Sequence, residues 1–221
     1  DTAQQLRAEG KNVHEGPCLG QCENAPAIFV QARGSDPLDM SSKSETKAKF
    51  DGGLANRLLR RFGVVDPHSL QSYRNHGGYA ALDAAVTAGG DEVLRLVTES
   101  GLTGRGGAAF PTGRKWRSVA DQPHPQKYVV ANADESEPGT FKDRMIIEND
   151  PFALIEAMTI AGITTGCTKG WIYIRGEYVT ATKRLRAAIR QAYEAGLLGI
   201  DAYSGAYTFD IEVRQGAGAY I

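Results

Sequence analysis

Gly104-Arg105-Gly106-Gly107-Ala108-Ala109-Phe110-Pro111-Thr112-Gly113-Arg114-Lys115-Trp116 strips the backbone of side chains at one point and sets cations and aromatic rings beside it. Consecutive glycines let backbone N–H groups turn inward as an anion-binding nest. Arg105, Arg114 and Lys115 add positive charge, and Phe110 and Trp116 offer flat faces to a heterocycle. The run reads as a phosphate cradle with a ring platform, suited to a nucleotide-like ligand. It lacks the Gly-Lys-Ser/Thr ending of the nucleotide triphosphatase loop and does not follow a strand as the usual dinucleotide fingerprint does. A flexible glycine-rich connector is the bland alternative; such linkers favour Ser over Arg, Phe and Trp.

The apolar Tyr128-Val129-Val130 leads into Ala131-Asn132-Ala133-Asp134-Glu135-Ser136-Glu137-Pro138-Gly139-Thr140-Phe141-Lys142-Asp143-Arg144, a strand ending in an acidic loop. Ligands of open α/β sheets sit beyond the carboxyl ends of strands, so Asn132, Asp134, Glu135, Ser136 and Glu137 are expected to face whatever the glycine loop holds. Three carboxylates in four positions cannot all be buried, and a solvated acidic turn is the alternative.

Strands are expected over residues 127–132, 170–175 and 208–214, and helices over residues 54–62, 79–88, 91–100, 151–165 and 180–195, with Asp91 as a helix cap. This alternation argues an α/β sheet with crossover helices. Near the amino terminus, after a helix-like stretch over residues 1–10, Cys18 and Cys22 stand with three residues between them on a Gly/Pro loop before the apolar residues 26–31. Soft thiolates so placed suit iron–sulfur ligation, with reduced loop thiols or a disulfide as the alternative. Residues 35–53, rich in Ser, Lys and Asp, read as a linker.

Together the glycine loop and the acidic loop resemble the NADH-binding flavoprotein subunit of respiratory complex I and its relatives. Those are the diaphorase subunit of NAD-reducing hydrogenases and the beta subunit of NAD-dependent formate dehydrogenases. The resemblance spans residues 58–221 and takes in Gly77-Gly78-Tyr79-Ala80-Ala81-Leu82, Ile174-Arg175-Gly176-Glu177-Tyr178 and Gly216-Ala217-Gly218-Ala219-Tyr220-Ile221. It implies a Rossmann-like FMN-binding sheet over residues 54–221 and an oxidoreductase that takes hydride from NADH onto FMN and passes single electrons to iron–sulfur clusters. Gly104, Arg105, Gly106, Gly107 and Lys115 match the cradle of the FMN phosphate, and Asn132, Asp134, Glu135 and Ser136 match flavin-facing polar residues. Phe110 matches a ring that stacks on the nucleotide of NADH. Glu135 and Glu137 match acids of the nicotinamide pocket, and Tyr220 matches a tyrosine beside the flavin.

Two departures stand out: Ala109 where the family usually has glycine, and Ser118 where some relatives carry a second stacking aromatic. Cys18 and Cys22 resemble the second cysteine pair of a thioredoxin-like 2Fe-2S ferredoxin domain, which implies that residues 1–34 are the tail of a partial thioredoxin-like domain. That domain needs four thiolates, so its cluster is expected to be incomplete here. Family members continue beyond the match of Tyr220 into a Cys-Gly-Glu-Glu stretch, a ubiquitin-like domain and a helical domain carrying a 4Fe-4S cluster, so the chain reads as a fragment. The implied partners are iron–sulfur electron-transfer subunits, and the implied location is cytoplasmic, peripheral to the inner membrane through those partners. The alternative is a non-catalytic remnant that folds and binds a partner subunit. NAD and NADP are not distinguished.

Composition fits a globular piece of 221 residues, 42% hydrophobic and 23% charged. A net charge of −1 makes no case for nucleic acid, and the basic residues at 57–61 and 183–190 read as solvated helix faces. Three cysteines do not make a disulfide scaffold, and the four histidines form no metal-ligand pattern. The longest apolar segment, residues 151–166, is short of the roughly 20 residues that span a bilayer.

Overall fold

The computed structural model describes residues 2–11, 13, 57–105 and 107–217. Cys18, Cys22, the strand expected at 26–31, the linker, Gly106 and Tyr220 lie outside the described residues. Helix α1 spans Thr2–Ala8, within the helix-like stretch at the amino terminus.

The parallel strands β1 (Tyr128–Ala133), β2 (Lys169–Ile174) and β4 (Tyr207–Gln215), with the short β3 (Gly199–Asp201) antiparallel at one edge, form a sheet of order β1-β2-β4-β3. Helices α7 (Pro151–Thr165) and α8 (Val179–Glu194) make the two crossovers between the parallel strands. Successive right-handed crossovers in one direction place both helices on the same face. There Phe152, Ile155 and Met158 of α7 and Ala181, Leu185 and Ala188 of α8 share one core with Ile172, Ile174, Phe209 and Ile211 of the sheet. Contact is close enough to require glycine: a Cβ on Gly162 would lie 2.4 Å from the buried Phe209 ring.

Helix α7 is apolar around its circumference because it is packed on all sides, by α3 (Ala80–Ala88), α4 (Gly90–Glu99), α5 (Thr112–Ala120), α8 and the sheet. Its one carboxylate, Glu156, is buried and accepts from Tyr73 Oη at 2.5 Å, Tyr79 N at 2.9 Å and Leu82 N at 3.0 Å. Tyr79 has a left-handed backbone and supplies no side-chain cap to α3, so Glu156 caps that helix from another element. The Gly77-Gly78-Tyr79 lead-in gains its meaning here: a Cβ on Gly78 would lie 2.0 Å from the Tyr73 ring. Tyr73 belongs to α2 (Leu70–Asn75), and burial together with the Glu156 carboxylate suppresses the acidity of its hydroxyl.

The opposite face of the sheet carries Tyr128, Val130, Lys169, Trp171, Tyr173, Glu212 and Arg214, and Val130 is 64% exposed. Lys169 and Arg214 each stand 4.9 Å from the Trp171 ring centroid and both pair with Glu212.

Most elements fall where periodicity puts them, with several corrections. Gly89, not Asp91, occupies the cap of α4, and Asp91 lies in its first turn. The helix expected over 54–62 is, within the described residues, a 3-10 turn at Arg57–Leu59. The basic cluster there is not only a solvated face: Arg61 pairs with the buried Asp150 at 2.7 Å and lies over the Tyr73 ring. Periodicity does not announce helices α2, α5 and α6 (Lys142–Asn149), because each is short and α5 is hidden inside the glycine-rich run.

Glu156→Ala leaves three buried donors unpaired and is expected to destabilise the fold by about 3 kcal/mol or more, at roughly 1–3 kcal/mol for each unsatisfied group. Glu156→Gln, which retains acceptor capacity, should lose less. Urea unfolding of the two variants against the parent checks the order.

Candidate functional site

Three sequence motifs leave the sheet at one edge. Ala133 pairs with Ile174 and Ile174 with Gln215, so β1, β2 and β4 end level, and the acidic loop, Arg175-Gly176-Glu177-Tyr178 and Gly216 leave from their carboxyl ends together. Ligands of open α/β sheets gather at this edge.

The acidic loop is held from below. Glu135 has a left-handed backbone (φ 41°) and is buried. Its Oε1 accepts from Asp143 N at 2.7 Å, and its Oε2 from Arg144 N at 3.0 Å and from Tyr178 Oη at 2.9 Å. It therefore caps the first turn of α6, and its carboxylate is buried there. Arg175, also buried, donates Nη1 to the Glu135 carbonyl at 3.0 Å and grips Glu177 through Nε and Nη2 at 3.1 and 3.0 Å. The guanidinium holds the Glu177 carboxyl below its ordinary acidity range, while burial and the Glu135 charge push the Tyr178 hydroxyl up. The Arg-Gly-Glu-Tyr motif, which residue order alone leaves without a role, fixes the loop above it.

Glycine packing finishes that edge. A Cβ on Gly176 would lie 2.8 Å from the Gly216 carbonyl, and Gly216 N donates to Ile174 O at 2.7 Å. The remaining acidic-loop residues are half-buried or exposed: Asn132 Oδ1 accepts from Asp134 N at 3.0 Å, the Ser136 hydroxyl donates to the Asp134 carboxylate, and Glu137 is open to solvent.

The glycine loop is closed at its base, with Gly104 N donating to Phe110 O at 2.9 Å and Thr112 N to Leu102 O at 2.8 Å. It delivers the chain directly into the N-terminus of α5, which is uncapped by any side chain. Phosphates favour such a terminus. A Cβ on Gly107 (φ 103°) would meet nothing within 4 Å, so the loop presents bare backbone to open space. Ala109 takes φ 49°, a conformation in which glycine carries no penalty. Gly113 is required for a different reason, since its Cβ would lie 2.7 Å from the Thr98 Cα where α5 packs on α4.

Arg105, Arg114 and Lys115 are exposed, with no carboxylate at ion-pair distance among the described residues. Phe110 is 44% exposed, with the Arg114 guanidinium 5.5 Å from its centroid. Beside it lies a groove of about 620 Å³ between α4 and α5, reached also by Arg95, Arg117 and Ser118. That volume is within the usual range for small-molecule sites. Among the described residues no hydrogen bond joins the glycine loop to the acidic loop; each is anchored to its own helices.

Because Glu177 is more acidic folded than unfolded, the stability it contributes is present above its ordinary pKa of 4.5 and is lost as pH falls through the lower folded value. The gap in melting temperature between the parent and Glu177→Gln should be full above the ordinary carboxyl pKa of 4.5 and narrow progressively as pH falls below it, as thermal scans in acid would register.

Residues 97–221 match the model of the Nuo51 FMN-binding domain, more than half of the chain. Over 165 residues the chain is 48% identical to an NADH-quinone oxidoreductase subunit of Rhizobium meliloti (strain 1021), covering 74% of this chain and 39% of that protein. It is 46% identical over 166 residues to the corresponding NADH-quinone oxidoreductase subunit of Aquifex aeolicus (strain VF5), covering 75% of this chain and 39% of that protein. Against the NADP-reducing hydrogenase subunit HndC of Solidesulfovibrio fructosivorans it is 47% identical over 162 residues, covering 73% of this chain and 33% of that protein. The chain thus spans about two fifths or less of these relatives' length. Among solved structures, an NAD+-reducing NiFe hydrogenase in the H2-reduced state aligns with TM-score 0.55 and 37% identity, covering 61% of this chain and 22% of that one. With this match on the same stretch as the glycine loop, the acidic loop and the parallel sheet, the chain belongs to the Nuo51 FMN-binding domain family.

Proposed function

We propose that this chain is the FMN- and NADH-binding part of an electron-input flavoprotein subunit. The observation that carries the reading is the glycine loop, whose bare backbone runs into an uncapped helix terminus between exposed cations. This donor set fits the phosphate of FMN: Gly104, Arg105, Gly107 and Lys115 would hold it, with Gly106 completing the run. Asn132, Asp134 and Ser136, at the carboxyl edge of the sheet, would meet the flavin's polar edge, and Glu137 would line the nicotinamide side. FMN, when bound, supplies two-electron acceptance as hydride and one-electron release.

The protein's own part is binding and orientation. Lys115 and Arg105 would neutralise the phosphate, and Phe110 would stack on the nucleotide of NADH. Glu135, with its carboxylate engaged by α6 and Tyr178, acts in this reading as a positioning residue: it holds the backbone from which Ser136 and Glu137 project. Residues 54–221 would form the flavoprotein domain and residues 1–34, with Cys18 and Cys22, the end of a 2Fe-2S domain, joined through 35–53. Iron–sulfur subunits of a larger oxidoreductase would receive the electrons. No helix among the described residues is long and apolar enough to cross a membrane; in this reading the iron–sulfur subunits carry any attachment to one.

Lys115→Ala should weaken FMN binding by roughly 1.5–3 kcal/mol, the range for a hydrogen bond to a charged group, measured by quenching of flavin fluorescence. Unchanged affinity would remove Lys115 from the phosphate site. Anaerobic NADH should then bleach the bound flavin's absorbance, and Glu137→Ala should slow bleaching more than it loosens FMN.

A further inference from the structure

The groove between α4 and α5 holds arginines in two different states. Arg95 is clamped by Glu92 at 2.6 Å and Glu99 at 2.5 Å, and Arg117 is shared by Asp91 and Asp121 at 3.7 Å. The groove's carboxylates, Glu99 and Asp121, are thus already engaged by its arginines. Arg114 has no carboxylate partner among the described residues and lies against the Phe110 ring, at the groove's wall. Ser118 opens the space between, because its hydroxyl turns back to donate to Lys115 O at 2.8 Å.

These states bear on which dinucleotide the groove accepts. An adenosine ribose with a free 2′-hydroxyl is recognised by a carboxylate, and one with a 2′-phosphate by an arginine. Here each carboxylate already has an arginine within 4 Å, whereas Arg114 has no carboxylate partner among the described residues. A guanidinium can lie flat on a purine and donate from its edge to a phosphate in bidentate fashion, which an ammonium cannot. Resting on the reading of Phe110 as the nucleotide platform, we infer that the groove takes both dinucleotides but holds the 2′-phosphorylated one, NADP(H), more tightly than NAD(H), with Arg114 as the discriminating residue.

The test needs neither flavin nor turnover. Adenosine 2′,5′-bisphosphate and 5′-AMP are titrated calorimetrically into the 221-residue chain, its Arg114→Leu variant and its Arg114→Lys variant. The bisphosphate is expected to bind roughly tenfold or more tightly than 5′-AMP at low salt, the scale of a charged hydrogen bond. The preference should shrink as salt screens the pair. Arg114→Leu should bring the two affinities within about threefold, and Arg114→Lys should restore only part. Arg114 is exposed, so thermal scans should show the variants folded like the parent. Equal affinities in the parent overturn the 2′-phosphate selection while leaving the nucleotide platform standing. A preference that survives in Arg114→Leu overturns the assignment to Arg114. If neither nucleotide binds while FMN still does, the platform reading of Phe110 falls with the inference.

Discussion

Buried carboxylates that end helices from a distance are the constraint on which the described structure depends. Glu156 reaches from α7 to the start of α3, and Glu135 reaches from the end of β1 to the start of α6. A carboxylate in a dry interior is costly unless its oxygens are filled, and helix N-termini offer N–H groups with a favourable dipole. Each glutamate also takes a tyrosine hydroxyl, Tyr73 for one and Tyr178 for the other. The pattern ties each helix start to a core element. The acidic loop is anchored at Glu135 by the same bonds that set where α6 begins.

That arrangement divides labour within the acidic loop. Glu135 turns in and holds; Ser136, bonded to the Asp134 carboxylate, and the exposed Glu137 follow it. A left-handed glutamate persists because its surroundings over-determine it, with Arg175 on its carbonyl and three donors on its carboxylate. The glycine loop is built by a different method, with a closed base and a helix terminus beneath it. The base of one and the anchor of the other are thus fixed by hydrogen bonds of the fold itself, which lowers the ordering cost of taking up a ligand there.

Much of this is legible in residue order. The parallel strands and α8 follow from apolar periodicity, α7 from the length of an apolar run that has no polar face, and the glycine and acidic loops announce themselves by composition. The inward turn of Glu135 is not legible, since a run of Asp134, Glu135 and Glu137 gives no sign which carboxylate finds donors eight and nine residues on. Nor is the burial of Arg61 against Asp150, because the partner lies 89 positions away and the local cluster looks like a solvated face. Helix α5 escapes because it begins inside a motif that reads as loop. The role of Gly113 is steric and comes from α4, an element outside its own segment.

Strand β1 closes one side of the sheet, and among the described residues no strand pairs with its outer edge. Its sequence, Tyr-Val-Val-Ala-Asn-Ala, is β-prone and uncharged, and Tyr128 and Val130 lie open on the face away from the helices. Edges of this composition recruit other strands unless something covers them. The same strand that carries the acidic loop is thus, among the described residues, an open sheet edge of the kind to which another strand adds.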